Sequence, residues 1–169
     1  MPGKRPYVAV IGSSEADAEQ AQVAEEVGAE LGRRGAVVVT GGLGGVMAAA
    51  SKGARGAGAT TVGVLPGSDR AAANPDVEVV LATGLGELRN ALVVYAVDAV
   101  IAVGGAYGTL SEIAFALNAG TPVVAIGSWE LSLDGGPVEA IVRADSAGAA
   151  VDAALGPPPP LLAPEPTNL

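Results

Sequence analysis

The 169 residues carry 9 Lys and Arg against 18 Asp and Glu, a net charge of −9, and contain no Cys and no His. That inventory excludes thiol nucleophiles, disulfides, Cys/His zinc sites and any Ser-His-Asp triad. The acidic balance disfavours nucleic acid and anionic membrane surfaces as partners, so an anionic ligand has to be held by a local arrangement of groups.

The length suits one domain, expected over residues 1–155, followed by the proline-rich tail GPPPPLLAPEPTNL at 156–169, expected to be either an extended arm or disordered, with PxxP spacing at Pro157 to Pro160. The apolar run Tyr7 to Ile11 is too short for a signal-peptide core, and Ala91 to Val103 is interrupted by Asp98 and falls short of the ~20 residues that span a bilayer. A cytoplasmic protein is the expectation.

Short β-branched runs punctuate the chain at 7–11 (YVAVI), 36–40 (AVVVT), 60–65 (TTVGVL), 77–81 (VEVVL), 98–103 (DAVIAV) and 122–126 (PVVAI), with a shorter one at 140–144 (AIVRA). They alternate with Ala-rich stretches of helical period, the pattern of a parallel α/β sheet. The runs are almost continuously apolar, as strands covered by helices on both faces should be. The expected fold is therefore a Rossmann-like, doubly wound, mainly parallel sheet of six to seven strands. The first helix, 15–34, places Val23, Val27 and Leu31 four residues apart and leaves most of its acids on a solvated face. A later helix is expected at 87–97 and a final one at 146–155.

Nearly every strand ends on glycine or proline: Gly12, Gly41-Gly42, Pro66-Gly67, Gly104-Gly105 and Gly127. In an open parallel sheet these turns share the carboxyl edge, where ligands bind and bare glycine lets backbone N–H groups approach an anion. Neither GxGxxG nor GxxxxGK[ST] occurs there, which argues against an NAD dehydrogenase or a P-loop ATPase. With Lys4 and Lys52 as the lone lysines, one in the N-terminal flank and one mid-helix, a pyridoxal phosphate Schiff base is also disfavoured.

The segment VGGAYGTLSE (103–112) runs from a strand end through a glycine turn into a helix. Its first-turn N–H groups and dipole suit a phosphate, with the Thr109 hydroxyl as an added donor. Thr109 and Glu112 also have the spacing of a capping box, so Glu112 is either a helix cap or a functional carboxylate. Arg89 and Asn90 stand at the start of the otherwise apolar helix at 87–97. A cation there opposes the helix dipole, which points to an anionic partner, either Glu87 or a ligand phosphate.

These residues resemble the LOG-like family of cytokinin riboside 5′-monophosphate phosphoribohydrolases, once labelled lysine decarboxylases, in a branch close to the molybdenum cofactor carrier proteins. The likeness covers about residues 7–155. The family motif PGGxGTxxE is matched by GGAYGTLSE from Gly104, with Arg89 fifteen positions earlier where the family has the arginine of an RK pair. Gly12, Ser13 and Ser14, then TGGLGGVM with Gly41, Gly42, Gly44, Gly45 and Met47, and Pro66 in GVLPG, are similar to the family's nucleotide-contacting turns. Gly104 stands for the motif proline, Ala106 for its second glycine and Asn90 for the lysine of the pair.

The resemblance implies catalytic roles for Arg89 and Glu112 in hydrolysing the N-glycosidic bond of a nucleoside 5′-monophosphate. It also implies phosphate or nucleotide contacts from Asn90, Gly104, Gly105, Ala106, Tyr107, Gly108 and Thr109, with Tyr107 and Trp129 as candidates to stack on a base. The competing implication is a non-catalytic carrier of molybdenum cofactor or a related phosphorylated ligand. Neither requires a resident cofactor or a protein metal site; the bound species would be a nucleotide monophosphate, phosphate or molybdenum cofactor. Relatives are homodimers or homotetramers, and the exposed apolar residues expected on 91–97 agree with self-association.

Overall fold

The β-branched runs form a parallel sheet in the computed structural model, which describes residues 4–157. The proline-rich tail from Pro158 on, including most of the PxxP spacing, lies outside the described residues.

In chain order the elements are β1 (Tyr7–Gly12), α1 (Ala18–Arg33), β2 (Val37–Thr40), α2 (Gly45–Gly56), β3 (Thr61–Leu65), β4 (Val79–Ala82), α3 (Arg89–Tyr95), β5 (Ala99–Val103), α4 (Tyr107–Ala119), β6 (Val123–Ile126), β7 (Ser132–Leu133), β8 (Gly136–Pro137), β9 (Ile141–Arg143) and α5 (Ala147–Leu155). Seven strands are ordered β4-β3-β2-β1-β5-β6-β9, and all six pairings between them are parallel. The order reverses between β1 and β5, which pair in register from Val8↔Ala99 to Gly12↔Val103. A doubly wound sheet opens its ligand crevice at that switch point, beyond the carboxyl ends of the strands.

The two-residue period of a strand separates the core into two layers. Val8, Val10, Val38, Ile101, Val103 and Val124 pack under α1, α2 and α5, while Ala9, Ile11, Val39, Val100, Ala102 and Val123 pack under α3 and α4. Helices α1 and α2 lie unusually close. A Cβ on Gly28 would strike the Ala50 carbonyl, and one on Gly53 would strike that of Glu25.

Three expectations are corrected. Helix α1 begins at Ala18 rather than at residue 15, because Asp17 caps it by accepting from the Gln20 N–H at 2.8 Å. Strand β4 is an edge strand without helices on both faces, so Val79 and Leu81 are exposed despite its apolar sequence. The helix expected from 87 opens as a 3-10 turn over Gly86–Leu88, and α-helical structure begins at Arg89. The β7–β8 hairpin was not anticipated. Its signal is Asp134-Gly135, both at positive φ (52° and 80°), the dipeptide that a two-residue hairpin turn demands.

Candidate functional site

The carboxyl ends of β1, β2 and β5 bring together three of the glycine turns. The turn after β1 abuts the start of α2: Val46 N–H donates to Ser13 O at 3.0 Å, and Gly45, at φ 59°, lies against the backbone of Ser13 and Ser14. A side chain at Gly45 would need both an unfavourable backbone and space occupied by those peptides. Ser13 Oγ accepts from Glu15 N–H at 3.0 Å and so holds its own turn. Gly12 packs against Val46 and the Val103 carbonyl, which joins this turn to the end of β5.

Arg89 reaches the same place from the other helical layer. Its guanidinium lies over Gly41, where a Cβ would collide with Nη1, and Met47 Sδ would be 2.6 Å from that Cβ. Gly41 and Met47 are thus brought into one cluster with Arg89, which is far from both in sequence. Arg89 is 8% exposed, and its Nε and Nη1 are buried without a hydrogen-bond partner. Burial draws its pKa below the ordinary arginine value, while Glu112 and Glu87 act in the opposite direction.

Glu112 enters from α4 and is 6% exposed. Burial pushes its carboxyl up to about 7, against the pull of Arg89 and with a smaller push from Glu87. The two groups feel each other's charge, yet among the described residues they form no ion pair within 4.0 Å. Of the two readings left open for Glu112, the helix cap is not the one formed. The N-cap of α4 is Ala106, whose N–H donates to Thr109 Oγ at 3.3 Å, and Glu112 lies a turn deeper with its carboxyl free of any cap. Alanine offers no capping oxygen, so the first-turn N–H groups of Tyr107, Gly108 and Thr109 remain available at the helix start.

Asn90, expected as a ligand contact, also makes protein contacts of its own. Its Nδ2 donates to Ser111 Oγ at 3.0 Å and to Glu87 Oε2 at 3.3 Å, which directs the amide toward α4. The Pro66 carbonyl accepts from Gly86 N–H at 3.0 Å and so fixes the turn that leads into Arg89. Gly42 N–H donates to Thr40 Oγ, and Gly44 caps α2 without a side chain. Gly104 and Gly105 carry positive φ, and Gly104 sits under the Gln20 side chain.

Tyr107 and Trp129 meet with ring centroids 5.9 Å apart, and Trp129 Nε1 donates to Ala106 O at 3.1 Å. The indole is thereby fixed beside the Gly104–Ala106 turn, while Tyr107 is largely exposed. An adjoining cleft of about 300 Å³ is lined by Gln20, Gly104, Gly105, Gly127, Ser128 and Trp129. Gln20, Ser111 and Ser128 were not anticipated; each is a polar residue whose position depends on tertiary packing, and no local motif marks it.

An Archaeoglobus fulgidus protein described as uncharacterized is 42% identical over 123 residues, covering 73% of this chain and 81% of the relative. Among solved structures, the molybdenum cofactor binding protein of Rippkaea orientalis is 30% identical with a TM-score of 0.79, covering 88% of this chain and 94% of that one. The molybdenum cofactor carrier protein of Chlamydomonas reinhardtii is 31% identical with a TM-score of 0.75, covering 89% and 96%. The SLOG cluster4 family model matches residues 5–150, in agreement with the likeness carried by Arg89 and the 104–112 segment. That span runs from β1 to the middle of α5 and takes in every turn described above, so the chain belongs to the SLOG cluster4 family.

Proposed function

We propose that the protein binds a phosphorylated small molecule at the carboxyl edge of β1, β2 and β5, as a carrier-type binding protein for molybdenum cofactor or a related phosphorylated pterin. The observation that carries this reading is the buried Arg89 guanidinium with Nε and Nη1 unpaired. Leaving such donors unsatisfied costs about 1–3 kcal/mol each, and an oxyanion would supply the missing acceptors. The start of α4, which no side chain caps, and the Thr109 hydroxyl, whose proton remains free to donate, provide further donors. The two similar carrier and binding proteins named above support the same ligand class. No cluster of His, Cys, Asp and Glu that could hold a metal is found among the described residues, so a bound molybdenum would be retained by the pterin itself.

The test is calorimetric titration with phosphate, AMP and the phosphorylated pterin. Arg89→Ala should weaken binding by about 1.5–3 kcal/mol, the range for a lost charge-assisted hydrogen bond. Unchanged affinity would refute the assignment.

A second reading, hydrolysis of a nucleoside 5′-monophosphate, is favoured by one observation: the buried Glu112 carboxyl titrates near neutrality. A base poised there suits proton abstraction at pH 7. Water would attack C1′ of the ribose and give its proton to Glu112, while the N-glycosidic electron pair leaves with the base. The carboxylate would also stabilise the positive charge that builds on the sugar. Release of ribose 5-phosphate by the protein, abolished in Glu112→Gln, would establish this activity; no release with retained binding leaves the carrier reading.

The same proposal includes a cytoplasmic location, no nucleic-acid or membrane partner, and self-association. No described helix is long and apolar enough to cross a membrane. Leu88, at the end of the 3-10 turn, and Leu92 and Tyr95 of α3 are exposed, and a two-fold pairing of this face with a second copy would cover them. Sedimentation of Leu88→Glu at reduced mass relative to the wild type would support that interface, and an unchanged mass would refute it.

A further inference from the structure

Arg89 and Glu112 lack anchors of their own. Two Arg89 nitrogens are unpaired, and among the described residues no protein group hydrogen-bonds the Glu112 carboxyl. Each, however, has a chain neighbour that is anchored. Asn90 follows Arg89, Ser111 precedes Glu112, and Asn90 Nδ2 donates to Ser111 Oγ at 3.0 Å. Ser111 Oγ in turn donates to Gly108 O at 2.7 Å, within the first turn of α4.

This pattern leaves no freedom in the direction of the bonds. Because the Ser111 hydroxyl spends its proton on Gly108, its oxygen must accept, which obliges Asn90 to present its NH₂ group. The Glu87 carboxylate, accepting from the same Nδ2 at 3.3 Å, requires the same orientation. Asn90 is 4% exposed and Ser111 is half-buried, so the tie is partly shielded from competing water. Among the described residues it is the one hydrogen bond between α3 and α4; further along, the two helices meet through Val93, Val94, Ile113, Ala116 and the edge-to-face pair Tyr95–Phe115.

We propose that the Asn90–Ser111 hydrogen bond is a positioning tie that sets the mutual geometry of Arg89 and Glu112, and thereby how tightly the site holds an anionic ligand. The ligand half rests on the function proposed above; the geometric half does not. Apolar contacts alone let two helices slide or rotate by a fraction of a side chain, whereas a directional, half-buried hydrogen bond one residue from each of the two groups fixes both. Lysine at position 90 would put a second cation beside Arg89; asparagine instead links the two helices through Ser111.

The test uses Ser111→Ala, which removes the tie at a partly exposed position, and Ser111→Thr, which restores the hydroxyl. The Glu112 carboxyl is followed by carbon NMR through a pH titration without ligand, and AMP and inorganic phosphate are titrated calorimetrically. The charged groups that face Glu112 are Arg89 from α3 and Glu87 from the turn before it, and both are retained in each variant. Loss of the tie should admit water to Glu112 and lower its midpoint toward the ordinary carboxyl value. Affinity for the anions should fall about fivefold, the scale of one net hydrogen bond. Threonine should return both quantities to those of the wild type, which a general loss of stability would not do.

A Glu112 midpoint unmoved in Ser111→Ala, or a threonine variant as altered as the alanine one, would overturn the proposal. A wild-type protein that binds neither AMP nor phosphate would refute the ligand-site reading, while the tie would still be decided by the Glu112 titration.

Discussion

Replacing Glu112 by Gln should make the folded protein more resistant to alkaline pH, because the native carboxyl binds its proton more tightly than the unfolded one does. Its folded value is pushed up from 4.5 to about 7 by burial. The stability that this protonated group contributes is fully present below pH 4.5, declines as pH rises, and is lost above about 7. At about 1.4 kcal/mol per tenfold change in proton affinity, that rise withdraws about 3 kcal/mol between the two limits. Glutamine has the shape of the neutral acid and no proton to lose, so the variant should match the wild type near pH 4.5 and exceed it by about 3 kcal/mol at pH 8. For a chain of this length the gain corresponds to roughly 6–12 °C in Tm. Chemical denaturation of both proteins at half-unit steps from pH 4.5 to 8 isolates the effect, since every other titrating group is common to both. A stability difference that stays flat across this range, or that favours the wild type at pH 8, would refute the claim that Glu112 is buried without a compensating partner.

Arg89→Met should raise the Tm of the ligand-free protein while removing anion binding, since methionine keeps the apolar stem and eliminates the two unsatisfied donors; a lower Tm would show that the guanidinium is paired. Gly41→Ala should leave the fold within about 1 kcal/mol of the wild type, because the groups that its Cβ meets are the flexible ends of Arg89 and Met47. It should still weaken phosphate binding in calorimetry by displacing the guanidinium, and full affinity would contradict the cluster. Gly28→Ala should destabilise by about 1–3 kcal/mol in denaturant, although alanine is the better helix former by about 1 kcal/mol, because its Cβ would enter the Ala50 carbonyl across the α1–α2 contact.

The sheet was legible because a strand buried on both faces leaves an unmistakable run such as VAVI or VIAV, and glycine marks where each run ends. All seven expected strands are present, with ends shifted by one or two residues. The site was legible to the extent that residue type and spacing encode it: Arg89 and Glu112 are neighbours in space as well as in motif, and Gly41 and Met47 join them. What sequence could not resolve is direction. Nothing in the order Arg89-Asn90 says that one side chain covers Gly41 while the next turns toward Ser111; that depends on the rotation of α3, which its packing through Val93 and Val94 determines. The spacing Thr109-x-x-Glu112 likewise admits two frames, and Ala106 as the true N-cap selects the one in which Glu112 is buried.

The separation of Arg89 from Glu112 is the more telling feature of the site. A tight buried ion pair would satisfy both groups and leave an anion nothing to displace. Here the carboxyl titrates near 7, so at neutral pH it offsets the guanidinium incompletely, and two N–H groups have no acceptor. The result is a buried, incompletely offset guanidinium in a chain of net charge −9, carried by the lone arginine of α3. An incoming phosphate would satisfy Arg89 and, by its own charge, favour the protonated form of Glu112. A ligand dianion should therefore bind with proton uptake above pH 7, a coupling that arises from placing the acid within electrostatic reach of the cation but outside hydrogen-bonding distance.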